Sequence, residues 1–240
     1  MQKRKRLPVD ASALYFSQRL TRALYATLKA PLTIVQAPMG YGKTVAVRKF
    51  LRSRHVRLVW TSIISSSEDA FWRMFCQEMK RSLPQSFGVP RLLLTLGFPY
   101  DSVKMNEARE LMQRMTFDEP TVLVFDDCHL LPSQSFKTFC QMLARDHIDN
   151  LHIVCITRDA YAGREELASL KGSLRFIGQE KFTLNTEEIK RYYLACGLSL
   201  REDEADELHG ATGGWISALY LYLLRYIQHG GVSQPAGVDA

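Results

Sequence analysis

The residues best suited to chemistry in this sequence lie at positions 37–44, which read Ala-Pro-Met-Gly-Tyr-Gly-Lys-Thr. Two glycines, Gly40 and Gly42, allow a tight backbone curl in which several amide groups point inward. Such amides form an anion site together with the N-terminus of a following helix. Lys43 can reach the β- and γ-phosphates of a nucleotide, and the hydroxyl of Thr44 can bind Mg²⁺.

The spacing of these eight residues is that of a Walker A phosphate loop, with Ala37 in place of the first glycine. An apolar strand precedes the loop and a helix follows it, which is the context that this motif requires. A glycine turn that contains Lys-Thr by chance is the alternative, and this context disfavours it. We predict that ATP or ADP is bound by Ala37, Pro38, Met39, Gly40, Tyr41, Gly42, Lys43 and Thr44.

A second candidate site follows the apolar run at residues 122–125, which ends in Asp126 and Asp127. An apolar strand delivers such carboxylates to its C-terminal end, where α/β sheets bind ligands. We predict that Thr44 and Asp126 hold Mg²⁺, with Asp126 acting through a water molecule. Asp127 points to a different side of the strand end and is predicted to orient or deprotonate the attacking water. For His129, capping or packing is the favoured interpretation.

A third candidate site lies where the apolar run at residues 151–156 ends in Thr157 and Arg158. In P-loop ATPases with an added central strand, the strand that follows the two aspartates in sequence lies between the strand that ends in those aspartates and the strand that precedes the phosphate loop. Its end then faces the γ-phosphate. The guanidinium group of Arg158 suits a phosphate, and Thr157 could hold the attacking water. A surface arginine that follows a strand is the alternative. The predicted catalytic residues are therefore Lys43, Asp127 and Arg158.

The elements that must position these residues alternate between short apolar runs and helical stretches. Strands are predicted at 32–36, 58–63, 121–125, 151–156 and 174–177. Because these runs are mainly apolar and do not alternate with polar residues, they indicate a parallel sheet covered on both faces by helices. We expect an α/β, three-layer P-loop ATPase sandwich with a mainly parallel five-stranded sheet in the order 5-1-4-3-2, followed by a small α-helical subdomain.

Changes in composition along the chain predict its domains. Residues 1–16 are expected to form a basic, flexible segment, and residues 17–178 the nucleotide-binding domain. Strand patterns stop near residue 178, so residues 179–229 are expected to form the helical subdomain. Residues 230–240, rich in small residues, are expected to be a disordered tail or linker.

Overall composition excludes several classes of function. The net charge of +6 is modest, and part of it lies in the run Lys3, Arg4, Lys5, Arg6. A nucleic-acid-binding module would need basic or aromatic stripes on a folded face, and none is found. The five cysteines are widely spaced and form no CxxC pair, which disfavours zinc or disulfide scaffolds and indicates a reducing compartment. Because no apolar stretch approaches about 20 residues, we predict no membrane span and a cytoplasmic protein.

The loop at residues 37–44 resembles that of the MalT-like, LuxR-type bacterial transcriptional regulators, which belong to the STAND class of signal-transduction ATPases. Residues 126–130, Asp-Asp-Cys-His-Leu, are similar to the Asp-Asp-Tyr-His-Leu of that family. Thr157-Arg158, residues 58–60 with 69–72, and Thr212-Gly213-Gly214-Trp215 resemble further family motifs, the last with glycine in place of glutamate. The resemblance extends from about Ser17 to Leu224.

The resemblance implies a regulatory switch in which ADP holds a closed form. ATP and an inducer would favour an open form that self-associates and binds promoter DNA, and slow ATP hydrolysis would reset it. The winged-helix, helical sensor and helix-turn-helix domains of that family are not recognisable in this sequence, so direct DNA binding is not predicted for these residues. The alternative function is a stand-alone AAA+-like motor or loader, which would need an arginine finger such as Arg164 or Arg175.

Overall fold

The structure, a computed structural model, describes residues 9–86, 88–161 and 172–229. Contacts along the backbone divide the chain into two compact units. The unit that we call the sheet unit comprises residues 21–39 and 43–178. The other, the helical unit, comprises residues 1–20, residues 40–42 of the phosphate loop and residues 179–240.

The sheet unit is built on five strands that are paired in parallel throughout. The strands are β1 (Leu32–Gln36), β2 (Arg57–Ser62), β3 (Thr121–Asp126), β4 (Leu151–Thr157) and β5 (Leu174–Ile177). Their order is β2-β3-β4-β1-β5, which confirms the predicted order of 5-1-4-3-2. The three central strands thus place the ends of β3, β4 and β1 side by side at one edge of the sheet.

Helices make up most of the remaining described chain. They are α1 (Gln18–Leu24), α2 (Lys43–Arg52), α3 (Glu68–Ser82), α4 (Gly88–Leu96), α5 (Ser102–Gln113), α6 (Gln134–Asp146), α7 (Thr186–Ala195), α8 (Glu202–Thr212) and α9 (Ile216–His229). Short 3-10 turns lie at Tyr25–Leu28, Pro84–Ser86, Cys128–Leu130 and Gln179–Lys181. Within these described residues, no helix has the length and apolar character that a membrane crossing requires.

The core of the sheet unit explains why the central strands are mainly apolar. Every residue of β3 is buried, so both of its faces contact other side chains. Phe71 on α3 makes edge-to-face ring contacts with Phe125 of β3 and Phe136 of α6. The neighbouring Trp72 is also buried, and its indole nitrogen donates to the carbonyl of Leu93 at 2.8 Å. A buried aromatic cluster of this kind fixes β3, and therefore its terminal aspartates, against the helices.

The helix α4 was not predicted, because Pro90 in the sequence favours a break in the irregular stretch at residues 83–105. In the structure Pro90 is the third residue of α4. The first four amides of a helix have no partner within the helix, so a proline there removes no hydrogen bond. The next helix, α5, begins at Ser102, earlier than the helix at residues 106–115 that the sequence pattern predicts, because the side chain of Asp101 accepts a hydrogen bond from the amide of Lys104.

The helical unit has a small core of its own. A capping box between Asn185 and Glu188 begins α7, which places Ile189 and Tyr193 in the core. The hydroxyl of Tyr193 donates to the carbonyl of Leu219 on α9 at 2.9 Å. Other apolar members of this core are Leu184, Tyr192, Cys196, Leu208 and Leu223.

Part of the N-terminal segment is packed in the helical unit. Val9, Ala11, Ala13 and Tyr15 contact its apolar core. The amide of Asp10 donates to the carbonyl of Cys196 at 2.9 Å. These residues fall within the segment 1–16 that the sequence predicted to be flexible. Residues 1–8, with the basic run at 3–6, and the predicted tail at 230–240 lie outside the described residues.

Candidate nucleotide site

The phosphate-loop candidate begins directly after β1 and ends where α2 starts. The strand β1 is central in the sheet, with β4 on one side and β5 on the other, so the start of the loop is held from both sides. Gly40 has φ +80° and Gly42 has φ +75°. L-residues with a side chain rarely adopt such left-handed angles, which gives both glycines a structural reason to be present.

Lys43 is enclosed by the loop that precedes it. Its ammonium nitrogen donates to the carbonyl of Ala37 at 2.5 Å and to that of Pro38 at 2.9 Å. Burial lowers the pKa of Lys43, and the nearby charge of Arg158 lowers it further, whereas Asp127 and Asp126 raise it. The two carbonyl contacts hold a cation inside the curl of the backbone, where an anion can approach it.

Thr44 and Asp126 form the pair that could bind a metal ion. The hydroxyl of Thr44 donates to Oδ1 of Asp126 at 2.9 Å, and the amide of Asp127 donates to the same oxygen at 3.1 Å. Asp126 is only 3% exposed. Burial raises the pKa of its carboxyl, and the hydrogen bond from Thr44 partly offsets this effect.

The donor set of this pair fits Mg²⁺. Mg²⁺ prefers oxygen ligands and is usually held by one or two protein groups together with phosphates and water. Among the described residues, no group of three or more His, Cys, Asp or Glu is arranged to hold a metal by itself. A metal ion at Thr44 and Asp126 would therefore need the oxygens of a nucleotide as well.

Asp127 has an unusual backbone conformation. Its angles, φ 60° and ψ 43°, lie in the left-handed region, and it begins the 3-10 turn at Cys128–Leu130. The chain therefore turns sharply just after Asp126, and the two neighbouring carboxylates have different surroundings. The side chain of Asp127 is 39% exposed, and its Oδ1 lies 3.6 Å from Nη2 of Arg158. Asp127 and Arg158, which we predicted as catalytic residues, are thus brought together.

Arg158 follows β4 and reaches the phosphate loop as well. Its Nη1 lies 3.5 Å from the Sδ atom of Met39, which accepts a weak hydrogen bond. Thr157 is buried, and its hydroxyl donates to the carbonyl of Asp159 at 3.1 Å. This donor is therefore engaged locally, and Thr157 retains only acceptor capacity for the water that we predicted it to hold.

Of the remaining sequence candidates, His129 lies close to Asp127, and the arginine-finger candidates gain no support. The ring of His129 is mostly buried, and its Nδ1 atom lies 3.8 Å from Oδ1 of Asp127. This nitrogen has no hydrogen-bond partner among the described residues. The guanidinium of Arg175 donates to the carbonyl of its neighbour Leu174. Arg164 lies outside the described residues.

Sequence analysis missed Arg48, which is four residues after Thr44 on α2. Its guanidinium lies 4.4 Å from the ring centre of Trp60, and its charge lowers the pKa of Asp126. Positions four apart share a helix face, so the spacing from Thr44 could have identified it.

Sequence analysis also missed contacts of the loop glycines within the helical unit. The hydroxyl of Ser217 donates to the carbonyl of Gly40 at 2.7 Å. A Cβ atom on Gly40 would lie 2.7 Å from both the Ser217 hydroxyl and the indole nitrogen of Trp215. That buried nitrogen has no hydrogen-bond partner among the described residues. Nothing in the sequence spacing relates positions 215 and 217 to Gly40.

The parallel sheet with its central β1 and β4, together with a glycine loop between β1 and α2, defines a P-loop ATPase fold. Solved structures agree. A STAND protein with a tetratricopeptide repeat sensor from Pyrococcus horikoshii matches with a TM-score of 0.62 and 16% identity, over 91% of this chain and 30% of the other. The Walker-type ATPase of Pyrococcus abyssi matches with a TM-score of 0.52 and 18% identity, over 95% of this chain and 72% of the other.

Sequence comparison confirms the resemblance to MalT-like regulators. The chain is 22% identical over 222 residues to the HTH-type transcriptional regulator MalT of Yersinia pestis, which is 90% of this chain and 24% of that protein. It is 23% identical over 234 residues to MalT of Serratia proteamaculans, which is 95% of this chain and 25% of that protein. The chain thus spans about a quarter of the length of these relatives. No protein-family model matches the sequence.

Proposed function

We propose that this chain is the nucleotide-binding switch domain of a MalT-like transcriptional regulator, and that it binds Mg-ATP and hydrolyses it slowly. The observation that supports this most directly is the pairing of an enclosed Lys43 with the hydrogen bond from Thr44 to Asp126. The first supplies a cation for phosphate oxygens, and the second supplies oxygen ligands for Mg²⁺.

Binding of phosphate by the loop follows from its backbone and from α2. The left-handed angles at Gly40 and Gly42 curl the chain, and the N-terminus of α2 adds the partial positive charge of its unpaired amides. Lys43 adds a full charge at the same place. The contacts that we predict between residues 37–44 and the phosphates then require one change. The ammonium group of Lys43 must exchange its two carbonyl partners for phosphate oxygens.

The contact between Arg158 and Asp127 supports slow turnover. A carboxylate that orients or deprotonates water works best when no cation holds it. Arg158 lies within ion-pair distance of Asp127. We expect the arginine to contact the γ-phosphate when ATP is bound, which leaves Asp127 to act on water.

The same pair supports a switch. ATP and ADP differ at this site only in the γ-phosphate, so a conformational bias must come from groups that contact it. Arg158 contacts Met39 in the loop and Asp127 after β3, which supports a role in responding to the γ-phosphate. Further domains of a longer regulator and nucleotide-dependent self-association are part of this proposal, by analogy with MalT.

The proposal is tested first by identifying the nucleotide that the purified protein retains. The protein is denatured, and the released nucleotide is identified by chromatography. We expect close to one ADP for each chain, and Lys43→Ala should retain almost none, because the loss of an enclosed cation weakens binding by about 100-fold. The matched control is Lys49→Ala, which removes the same charge from an exposed position of α2.

Two results would contradict the proposal. One is a folded native protein that neither retains nucleotide nor takes up added Mg-ATP or Mg-ADP. The other is an equal loss of nucleotide in Lys43→Ala and Lys49→Ala, which would mean that the loss depends on the net charge of the protein and not on the position of Lys43. Turnover of Mg-ATP should stay well below about 1 per second, compared with about 10 per second for a typical enzyme, because Arg158 must leave Asp127 before that carboxylate can act on water. Rapid turnover in rings would instead favour the AAA+-like function.

A further inference from the structure

Met39 differs from the other methionines of the described chain in its exposure. Its residue surface is 65% exposed, whereas Met79, Met112 and Met115 are buried. The remaining three in the described ranges, at positions 74, 105 and 142, are partly buried. The thioether of an exposed methionine is readily oxidised to a sulfoxide, and enzymes reverse this oxidation.

The sulfur of Met39 also has a defined partner. The Sδ atom lies 3.5 Å from Nη1 of Arg158, and Nη2 of the same guanidinium lies 3.6 Å from the carboxylate of Asp127. Arg158 therefore lies between a weak acceptor on the phosphate loop and a charged acceptor after β3. A stronger acceptor at position 39 would change the balance of these contacts.

We propose that Met39 is an oxidation site through which a peroxide lowers the affinity of this domain for ATP. The proposal rests on the proposed nucleotide function. In the chemical step, the sulfur attacks one peroxide oxygen, the O–O bond breaks and an S–O bond forms. The sulfur loses two electrons, the leaving oxygen departs as hydroxide, and the proton on the attacked oxygen passes to that hydroxide, so that hydrogen peroxide is reduced to water. The product is methionine sulfoxide at position 39.

The sulfoxide changes the partner of Arg158. Its oxygen bears a large partial negative charge and accepts hydrogen bonds strongly, whereas the thioether accepts them weakly. Hydrogen bonds to a charged donor are about twice as strong as neutral ones, so the guanidinium is held at the loop. Because Arg158 is expected to contact the γ-phosphate, which ADP lacks, oxidation weakens ATP binding more than ADP binding.

The test combines mass measurement with nucleotide affinity. The purified protein is treated with hydrogen peroxide, and peptide mass spectrometry locates each added oxygen atom. We expect Met39 to be oxidised first, and the dissociation constant for Mg-ATP to rise by about tenfold, which is the effect of one hydrogen bond to a charged group. The constant for Mg-ADP should change by less than about twofold. Treatment with methionine sulfoxide reductases A and B should restore the ATP affinity.

Met39→Leu provides the internal control, because leucine has a similar volume and no sulfur. The readout for this variant is the ratio of its ATP affinity after peroxide to that before, which should be close to one. An equal loss in Met39→Leu would assign the effect to another residue and overturn the inference. Oxidation of the partly buried methionines before Met39, or a Met39 sulfoxide that binds ATP as the thioether does, would also overturn it.

Failure of the inference can be told from failure of the proposed function. If the untreated protein binds neither nucleotide, the proposed function is wrong, and the consequence for ATP falls with it. If the untreated protein binds both nucleotides and oxidation at Met39 changes neither affinity, only the inference is wrong. The order of oxidation, measured by mass, is independent of nucleotide binding in either case.

Discussion

Two adjacent glycines at the end of α8 offer a sharp test of the helical unit. Gly213 and Gly214 both have left-handed backbone angles, with φ +56° and φ +73°. A Cβ atom on Gly213 would have no atom within 4 Å, whereas a Cβ atom on Gly214 would lie 2.0 Å from the carbonyl oxygen of Leu184. Substitution by alanine therefore imposes the same conformational cost at both positions and adds a collision at only one.

The expected magnitudes follow from this geometry. Gly213→Ala should lower the free energy of unfolding by about 1–2 kcal/mol, the cost of a left-handed L-residue. Gly214→Ala should cost about 4–6 kcal/mol, because the backbone of Leu184 must move as well. That movement breaks the 3.0 Å hydrogen bond from the amide of Leu184 to the carbonyl of Gly214. It also disturbs the packing of the buried Leu184 side chain.

The assay is urea unfolding followed by far-UV circular dichroism, with hydrogen exchange of peptides from α7 to α9 to locate the change. Exchange resolves local opening of the helical unit even when the sheet unit remains folded. Costs for the two variants that agree within about 0.5 kcal/mol, the usual range of a neutral substitution, would refute the predicted approach of Gly214 to Leu184. Selective loss of protection in the sheet unit would refute it as well.

Three further predictions concern the site. Asp126→Asn should abolish the dependence of nucleotide binding on Mg²⁺. At neutral pH the same variant should stabilise the protein without nucleotide by about 1 kcal/mol, because it removes a buried charge and keeps an acceptor for the hydroxyl of Thr44. Burial raises the pKa of Asp126 above 3.8 in the folded state. The native protein without nucleotide should therefore lose stability as the pH rises from 3.8 through the pKa of Asp126 in the folded state. Thermal melts of Asp126→Asn should lack this loss of stability. Thr44→Val should raise the Mg²⁺ concentration needed for half-maximal ATP binding by about tenfold, and Thr44→Ser should leave that concentration unchanged, as Mg²⁺ titrations would measure. Equal effects of the two variants would exclude the hydroxyl of Thr44 as a ligand of Mg²⁺. Arg158→Met should weaken the equilibrium binding of ATP by at least about tenfold and that of ADP by less than about twofold. Equal losses for the two nucleotides would show that Arg158 does not contact the γ-phosphate.

The strands and their parallel pairing could be predicted because the physical requirement on each strand is visible locally, whereas their order was implied by the arrangement of P-loop ATPases with an added central strand. A strand buried on both faces must be mainly apolar, as residues 122–125 and 151–156 are, and short runs of this kind separated by helices pair in parallel. The placement of Thr44 beside Asp126 follows from the same logic. Both residues lie at the C-terminal edge of the sheet, one just after β1 and its loop, the other at the end of β3.

The contacts that sequence did not predict depend on the packing of distant segments or on a single backbone angle. Ser217 reaches Gly40 across 177 positions of sequence. Its type and spacing are ordinary for a helix, so only the folded chain identifies it. The left-handed angle of Asp127 is equally hidden, because aspartate adopts ordinary angles in most places. Pro90 was misjudged for a different reason, since its effect depends on whether a helix begins two residues before it.

The different surroundings of Asp126 and Asp127 explain why a switch is favoured over a motor. Asp126 ends an extended strand, is buried and shares its Oδ1 with the hydroxyl of Thr44, so it is positioned before any ligand arrives. Asp127 turns into the left-handed region and lies half-exposed near Arg158. The proposed metal ligands are therefore already positioned by the fold, whereas the carboxylate proposed to act on water must first be separated from a cation. Binding that is ready and chemistry that must wait for a rearrangement are the properties that a nucleotide-dependent switch requires, because the bound state must persist long enough to be recognised.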